Sequence, residues 1–206
     1  MMRAGHVVHS GEKDPCAGGF SLLEMLVVIS IILVLTALYW GPNRSDRQRA
    51  LKISCQKNLQ KVYIAMGIYA NDNGGYFPRA AGAHTSEEAL DLLVPRYTSD
   101  TSMFICPGSD DSMPGPGQPL RRSRISYAYY MGRSQATNQA LMSDRQVNTE
   151  GKAAGEAAFS TTGKPPGNNH GKYGGNFLFT DGHVESTPAR VPFSVELGKG
   201  EVLLNP

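Results

Sequence analysis

Residues 18–40 read GGFSLLEMLVVISIILVLTALYW. After position 19 the apolar run is interrupted by only four polar residues, Ser21, Glu24, Ser30 and Thr36. As a helix with a rise of ~1.5 Å per residue, residues 20–40 would extend for about 30 Å, which is the thickness of the hydrocarbon core of a bilayer. A domain of ordinary size rarely buries so long a helix that is apolar on every side. The sequence therefore predicts a transmembrane helix over residues 20–41.

Two ordinary kinds of N-terminal segment can be compared with this run. A cleaved secretory signal has an apolar core of about 7–15 residues, with small residues at the cleavage site that follows it. This run is longer, and Ala37, Leu38 and Tyr39 followed by Trp40 form a poor cleavage site. An uncleaved signal anchor is compatible with the apolar pattern, so the residues at the start of the run decide the interpretation.

Residues 19–24, GFSLLE, open the apolar run. They resemble the signature of prepilins, the precursors of type IV pilins and type II secretion pseudopilins, which is Gly, Phe, Ser or Thr, Leu, Ile or Leu, and Glu before a hydrophobic helix. In that family a prepilin peptidase cuts after the glycine on the cytoplasmic side and methylates the new N-terminus. The resemblance implies cleavage between Gly19 and Phe20, N-methylation of Phe20, and a leader peptide over residues 1–19.

Glu24 places a carboxylate inside the apolar segment, which costs roughly 2.5–3.5 kcal/mol on insertion scales. The resemblance implies that cleavage frees a positive amine on Phe20, and that this amine on one subunit of a filament pairs with Glu24 of a neighbour. An assembly role for Glu24 is therefore expected. The alternative is that the Glu24 side chain extends to the lipid headgroups near the start of the helix.

The charged residues on the two sides of the span favour the opposite orientation. Arg3 and Lys13 precede the span, whereas four basic residues follow it closely, Arg44, Arg47, Arg49 and Lys52. The positive-inside rule would place the C-terminal side in the cytoplasm. The cleavage signature implies the reverse, a single-pass protein of the inner membrane with its head on the periplasmic or extracytoplasmic side.

An amphipathic stem helix is predicted over residues 42–73, after a break at Gly41 and Pro42. Its apolar face consists of residues spaced three or four positions apart, Leu51, Cys55, Leu59, Val62, Met66 and Tyr69. Residues 71–75, NDNGG, are expected to end the helix because glycine readily adopts the left-handed cap conformation. The transmembrane and amphipathic halves together predict one interrupted helix of about 50 residues.

Residues 74–206 predict a globular head that is rich in turns, because Gly and Pro are concentrated there. Strands are expected at 125–131, at 140–142 and on both sides of Asp181-Gly182, a pair typical of hairpin turns. Residues 148–169 are expected to form a long mobile loop. The predicted fold class is α+β: a long N-terminal α-helix, with a transmembrane half and an amphipathic half, packed on a small antiparallel β-sheet head with long loops.

Three further motifs extend the resemblance into the head. One branch of pilin-like proteins has Cys-x-x-Asn-Leu, then Phe-x-Cys-Pro, and then a C-terminal His followed about nine residues later by Asp-Gly. The counterparts here are residues 55–59 (CQKNL), residues 104–107 (FICP), and His170 with ten residues before Asp181-Gly182. A small insertion in the loop of residues 171–175 would account for the extra residue in the last spacing.

The cysteines of the head form an even pair. The third cysteine, Cys16, lies in the leader, so cleavage leaves Cys55 and Cys106. In an oxidising compartment this pair can form a disulfide that clamps the stem helix to the loop of residues 104–107. Two buried free thiols are the alternative. A zinc site would need more ligands at close spacing than the sequence shows.

A structural cluster is expected from five residues of the head, Asp144, His170, Asp181, Gly182 and His183. Within it, His170 is expected to hydrogen-bond to Asp181. The resemblance to type II major pseudopilins, which bind calcium through oxygen ligands, makes Asp144 and Asp181 weak candidates for a calcium site. No catalytic residues are expected, because the chain has no P-loop, dinucleotide fingerprint or Ser-His-Asp spacing.

The resemblance implies that the chain is a filament subunit, a pseudopilin of a type II protein secretion system, and not an enzyme. Its expected partners are the prepilin peptidase, other pilin-like subunits, the membrane, and an inner-membrane assembly platform with its ATPase. A formal net charge of +2 is too small to favour nucleic acid as a partner. The alternatives are a type IV pilus minor pilin for adhesion, motility or DNA uptake, a membrane-tethered binding domain that does not polymerise, and an anchored hydrolase with a His170/Asp181 site.

Overall fold

The computed structural model of the chain describes residues 20–39 and 44–206. These residues belong to two compact units, Met1–Pro42 and Asn43–Pro206. The predicted leader, including Gly19, and the predicted helix break at Gly41 and Pro42 lie outside the described residues.

Helix α1, Leu22–Tyr39, has 18 residues and belongs to the first unit. None of these residues is buried, and the helix is long and apolar enough to cross a membrane. Two hydroxyls inside it donate to carbonyls of the preceding turn: Ser30 Oγ to Val27 O at 2.7 Å, and Thr36 Oγ1 to Ile32 O at 2.8 Å. Because these donors are satisfied within the helix, both hydroxyls are compatible with a lipid surrounding.

Helix α2, Arg44–Asp72, is a 29-residue helix in the second unit. The predicted apolar face is confirmed, since four of its residues are fully buried, Cys55, Leu59, Val62 and Met66. Leu51 and Tyr69, at the ends of this face, are half-buried. The Gly75 N–H donates to Ala70 O at 2.8 Å, and Gly75 has φ +84°. A left-handed glycine therefore follows the end of α2, as the NDNGG segment predicted.

Five antiparallel strands form one sheet in the order β4-β3-β2-β1-β5. The strands are β1 Tyr127–Met131, β2 Ala140–Asp144, β3 Gly175–Phe179, β4 Val184–Thr187 and β5 Val202–Leu204. Between α2 and β1 lie helix α3 and three short 3-10 helices, at Ser86–Leu90, Asp91–Leu93, Thr101–Phe104 and Leu120–Arg122. The long apolar N-terminal helix, the further helices and the antiparallel sheet confirm the predicted α+β class.

The sheet is covered on both faces. On β1, Tyr127 and Tyr129 belong to the core that includes the buried face of α2. Ala128 and Tyr130 belong to a second core. This alternation follows from the two-residue period of a strand, which turns successive side chains to opposite faces.

Residues 148–169 form part of the layer that covers the second face. Ala158 and Phe159 are buried in the second core. The Val147 N–H donates to Ala158 O at 2.9 Å, and the Ala158 N–H donates to Ala189 O at 3.0 Å. The segment is a long loop without helix or strand, as expected, and its Ala158 and Phe159 are packed on the second face of the sheet.

The turn between β3 and β4 is built against α2. It contains Asp181 and Gly182, so the predicted hairpin is confirmed. Gly182 has φ +91°, and a Cβ atom at this position would lie 2.5 Å from Cε1 of Tyr63 on α2. The Tyr63 hydroxyl also donates to Thr180 O at 3.1 Å. Glycine is thus required at position 182 both by the backbone conformation and by the nearby tyrosine ring.

We expect Gly182→Ala to destabilise the head by about 1–3 kcal/mol, because it combines backbone strain with a clash against Tyr63. Gly200→Ala is the matched control. Gly200 has φ +83°, but no described atom outside its chain neighbours lies within 4 Å of an added Cβ, so this variant carries the strain alone. Denaturant unfolding of the full-length chain in detergent compares the two. Equal destabilisation by both substitutions would argue against a role for the Tyr63 contact.

Candidate functional site

The motif residues at the start of α1 form a capping arrangement. The backbone N–H of Ser21 donates to Glu24 Oε2 at 2.8 Å, and the backbone N–H of Leu23 donates to Ser21 Oγ at 3.3 Å. The two side chains thus satisfy free N–H groups at the helix start in the manner of a capping box. Phe20, which precedes the cap, is 79% exposed.

Glu24 therefore has a role within its own chain that the sequence analysis missed. The signal was present, because Ser21 followed three residues later by Glu24 before an apolar run is the pattern of a capping box. The cap uses one carboxylate oxygen, and an ionised carboxylate can accept further hydrogen bonds through its other lone pairs. Capping and the expected pairing with the amine of another subunit are compatible.

One face of α2 is not covered by the described part of the second unit. Ile53, Ile64 and Ile68 are 54%, 63% and 49% exposed. Lys57 and Lys61 are also exposed and lie between them, so that the five residues follow one another at intervals of three or four positions. We call these five residues the stem stripe. Ile64 and Ile68 lie one turn apart, whereas Lys57 and Lys61 separate them from Ile53.

The cysteine pair of the head forms a disulfide. Cys55 of α2 is bonded to Cys106, with 5.3 Å between their Cα atoms, and both residues are fully buried. Beside the bond, Asn58 Nδ2 donates to Ile105 O at 2.9 Å. The predicted disulfide is confirmed, and it attaches α2 to the loop after the 3-10 helix Thr101–Phe104.

His170 lies against this disulfide. Its Nε2 atom is 3.3 Å from Cys106 Sγ and 3.4 Å from Asp144 Oδ2. Its Nδ1 atom has no hydrogen-bond partner among the described residues. The expected hydrogen bond between His170 and Asp181 is therefore wrong. The His170/Asp181 pair on which the hydrolase alternative depended is not formed.

Asp144 ends β2 in the buried interior. Asn169 Nδ2 donates to its Oδ1 at 3.0 Å, and the backbone N–H of Asn176 donates to its Oδ2 at 2.8 Å. Because β2 and β3 are antiparallel, Asp144 lies beside the start of β3, whereas Asp181 follows its end. The start and the end of β3 are about 17 Å apart along the strand. The structure therefore does not bring Asp144 and Asp181 together as a calcium site.

Asp181 and His183 form a separate, exposed pair. His183 Nδ1 is 2.6 Å from Asp181 Oδ1, and the backbone N–H of His183 donates to the same oxygen at 3.0 Å. This backbone hydrogen bond is the main cause that lowers the pKa of Asp181. The His183 ring stacks on Phe179 with 4.2 Å between ring centroids. The cluster expected from the sequence is thus two groups, a buried one with Asp144 and His170 and an exposed one at the Asp181-Gly182-His183 turn.

Lys52 of α2 adds a cation near the buried group. Its Nζ atom donates to Tyr173 O at 3.1 Å and to Thr187 O at 2.9 Å. Burial lowers the pKa of Lys52, and attraction to the Asp144 carboxylate opposes this shift. The sequence analysis counted Lys52 only among the basic residues after the span. No local signal marked its contacts, because they join positions 121 and 135 residues apart.

The N-terminal motif was compared with known families. A family model described as the prokaryotic N-terminal methylation motif matches residues 15–39. The chain carries the signature of type IV pilins and pseudopilins. No curated protein and no solved structure matches the chain.

The motif implies processing by a prepilin peptidase and assembly with other pilin-like subunits. Helix α1 fits a single-pass membrane anchor. Of the predicted cleavage pair, Phe20 is described, and Gly19 lies outside the described residues. The match ends with α1, so the head is characterised by its own geometry.

We expect the double substitution Cys55→Ala and Cys106→Ala to lower the free energy of unfolding by about 3–4 kcal/mol, because the bond closes a loop with a sequence separation of 51. Denaturant unfolding of the full-length chain in detergent, with a chelator present, measures the difference. A reductant should destabilise the native chain and leave the double variant unchanged. If the two chains unfold at the same denaturant concentration, the disulfide does not stabilise the head.

Proposed function

We propose that this chain is a filament subunit, a pseudopilin of a type II protein secretion system, cleaved between Gly19 and Phe20 and N-methylated on Phe20. The observation that carries the proposal is the GFSLLE signature at the start of an apolar helix in which no residue is buried. The proposed action is mechanical: subunits leave the membrane, stack through their helices and push secreted proteins outward. An inner-membrane assembly platform and its ATPase supply the energy, and the chain itself performs no catalytic step.

Helix α1 supports this proposal because its apolar surface needs a cover. Leu22, Leu26 and Leu38 are 90%, 68% and 72% exposed. Removing apolar surface from water is favourable by about 25 cal/mol per Å², so a helix that is apolar on every side is stable only in an apolar surrounding. In the proposal, lipid surrounds α1 before assembly, and the helices of other subunits surround it in the filament.

Glu24 supports the proposal through its charge. An unpaired carboxylate in an apolar surrounding is costly, and a nearby positive group removes much of that cost. Cleavage after Gly19 would create such a group on Phe20. The cap with Ser21 holds the Glu24 carboxylate at the start of α1, where the amine of a neighbouring subunit could reach it.

The stem stripe supports a second contact between subunits, made by α2. Its isoleucines would contribute apolar contact area. Lys61 lies 3.8 Å from Asp100 of its own chain, so the exposed Lys57 is the residue that would favour an acidic group on a neighbour.

The disulfide supports a head outside the cytoplasm, because disulfides persist mainly in oxidising compartments. The basic residues after the span favour the opposite orientation by the positive-inside rule. However, Lys52 is bound to two backbone carbonyls of the head and is partly buried, so it serves the fold of the second unit. The proposal places the head on the periplasmic or extracytoplasmic side of the inner membrane.

Intact-mass measurement of the chain isolated from its native membrane tests the processing step. We expect a mass that begins at Phe20, with one added methyl group and two hydrogens fewer because of the disulfide. Gly19→Val should leave the whole precursor, whereas Gly18→Val should be processed normally, since the proposed cut follows Gly19. A native chain that retains residues 1–19 would overturn the filament proposal and favour a tethered domain.

Glu24→Gln separates the charge of Glu24 from its cap, because glutamine can still accept the Ser21 N–H hydrogen bond but carries no charge. We expect E24Q and Glu24→Leu to lower the filament fraction about 10-fold or more, since each leaves a neighbouring amine unpaired. Ser21→Ala, which keeps the carboxylate, should assemble normally. Filaments sheared from cells give the fraction, and intact mass checks that cleavage is unchanged. Loss of assembly in the leucine variant alone would assign Glu24 to capping and contradict charge pairing.

A further inference from the structure

Four buried ligand groups meet at the disulfide of the head. The sulfurs of Cys55 and Cys106, a ring nitrogen of His170 and a carboxylate oxygen of Asp144 all lie within 4.8 Å of one another. The sequence analysis predicted no zinc ligand set, because these residues are far apart in the chain. The structure brings them together. We propose that, when the Cys55–Cys106 disulfide is reduced, these four side chains bind one zinc ion.

The ligand types select zinc. Thiolate, imidazole and carboxylate are the groups that hold Zn²⁺ in proteins, usually four at a time in tetrahedral geometry. Calcium takes oxygen ligands and would leave the sulfurs and the imidazole unused. The proposed zinc site therefore replaces the weak calcium site expected from the sequence. Of the two calcium candidates, Asp144 and Asp181, it contains only Asp144.

The distances suit a tetrahedral site. Zinc lies about 2.3 Å from sulfur and about 2.0–2.2 Å from nitrogen or oxygen, so neighbouring ligand atoms are about 3.3–3.8 Å apart. His170 Nε2 already lies 3.3 Å from Cys106 Sγ and 3.4 Å from Asp144 Oδ2. The atoms that must separate are the two sulfurs, and reduction removes the bond that holds them together.

The disulfide is reduced before zinc binds, and the oxidation state of zinc does not change. A dithiol reductant donates two electrons and two protons to the disulfide, which gives two cysteine thiols and one oxidised reductant. Zinc then displaces both thiol protons and is bound by two thiolates, while its own oxidation state stays the same. The disulfide and the zinc site are therefore alternative states of the same residues.

The surroundings of Asp144 contain polar groups that the disulfide state leaves unsatisfied. Three buried atoms of the side chains around it have no hydrogen-bond partner among the described residues, Asn169 Oδ1, His170 Nδ1 and Asn176 Oδ1. Asn169 and Asn176 also hold Asp144 in place, as supporting residues do for ligands in metal sites.

The local charge is compatible with the proposed ion. A zinc ion with two thiolates, one carboxylate and one neutral imidazole carries one net negative charge. Lys52 lies close enough to Asp144 for their attraction to affect its pKa, and it is held there by two backbone carbonyls. Its ammonium group would offset the charge of the loaded site.

The zinc ion would connect the two segments that the disulfide connects and would attach two further segments to them. Cys55 lies on α2 and Cys106 in the loop after the 3-10 helix, whereas Asp144 ends β2 and His170 precedes β3. A reduced chain would therefore keep these four segments together through the ion. The inference concerns the head and does not depend on the filament function.

Cobalt is the probe for the test, because Co²⁺ bound by thiolates in tetrahedral geometry has strong visible and charge-transfer absorption bands. The full-length chain is used in detergent with Cys16→Ser, so that only the two head cysteines remain. We expect the reduced chain to bind one equivalent of Co²⁺ with thiolate charge-transfer bands, and to release it when Zn²⁺ is added. The oxidised chain should show neither band.

His170→Gln and Asp144→Asn should each weaken cobalt binding by about 10-fold or more. His183→Gln is the matched control, because His183 belongs to the exposed pair with Asp181 and should leave cobalt binding unchanged. Unaltered affinity in His170→Gln would overturn the proposal, as would weakening of equal size in the His183 variant.

A second readout covers variants that fail to fold. Circular dichroism of the reduced chain, with its two native cysteines, is recorded with a chelator and again with zinc. We expect zinc to raise its unfolding temperature. A reduced chain that shows neither thiolate-to-cobalt bands nor stabilisation by zinc would overturn the proposal whatever the variants do.

Discussion

The second unit is organised by one contact, between the buried face of α2 and the sheet. This face packs an apolar stripe against β3 and β4 and shares one core with the tyrosines of β1, because side chains three or four positions apart lie on the same side of a helix. Burying one such side chain contributes about 1.5–3 kcal/mol, so the stripe supplies a large share of the head's stability. The disulfide at Cys55, the Asn58 hydrogen bond and the Tyr63 contact with the β3–β4 turn all attach further segments to this helix.

The two long helices use apolar residues for different purposes. Helix α2 buries one face in the head and leaves the stem stripe exposed, whereas no residue of α1 is buried. Apolar surface without an intramolecular cover requires lipid or another chain. The part of the chain that carries the pilin signature is thus the part whose folded state depends most on its surroundings. The proposed passage from a membrane into a filament requires this dependence.

A cluster of buried polar side chains, which includes Asp144 and His170, lies at the disulfide of the head. Three motifs that the sequence analysis singled out meet there, through Cys55, Cys106 and His170. Asp144, which the sequence analysis placed in one cluster with His170, joins them. A buried carboxylate is tolerated because Asn169 and Asn176 donate hydrogen bonds to it, and it in turn faces His170 beside the disulfide. The Asp-Gly motif is not part of this cluster. It lies in the β3–β4 turn, where glycine allows the backbone to approach Tyr63.

The sequence by itself determined the local features: the apolar length of α1, the buried stripe and glycine end of α2, and the Asp-Gly hairpin. Each depends on residues within a few positions of one another, so periodicity and turn chemistry are sufficient to predict it. The contacts of His170 required the tertiary structure. Asp181 is near it in sequence, but β3 lies between them and separates the two groups, whereas Cys106 is 64 positions away and touches its ring. The direction of a strand and the order of strands in a sheet decide which distant residues meet, and neither is encoded in a local pattern.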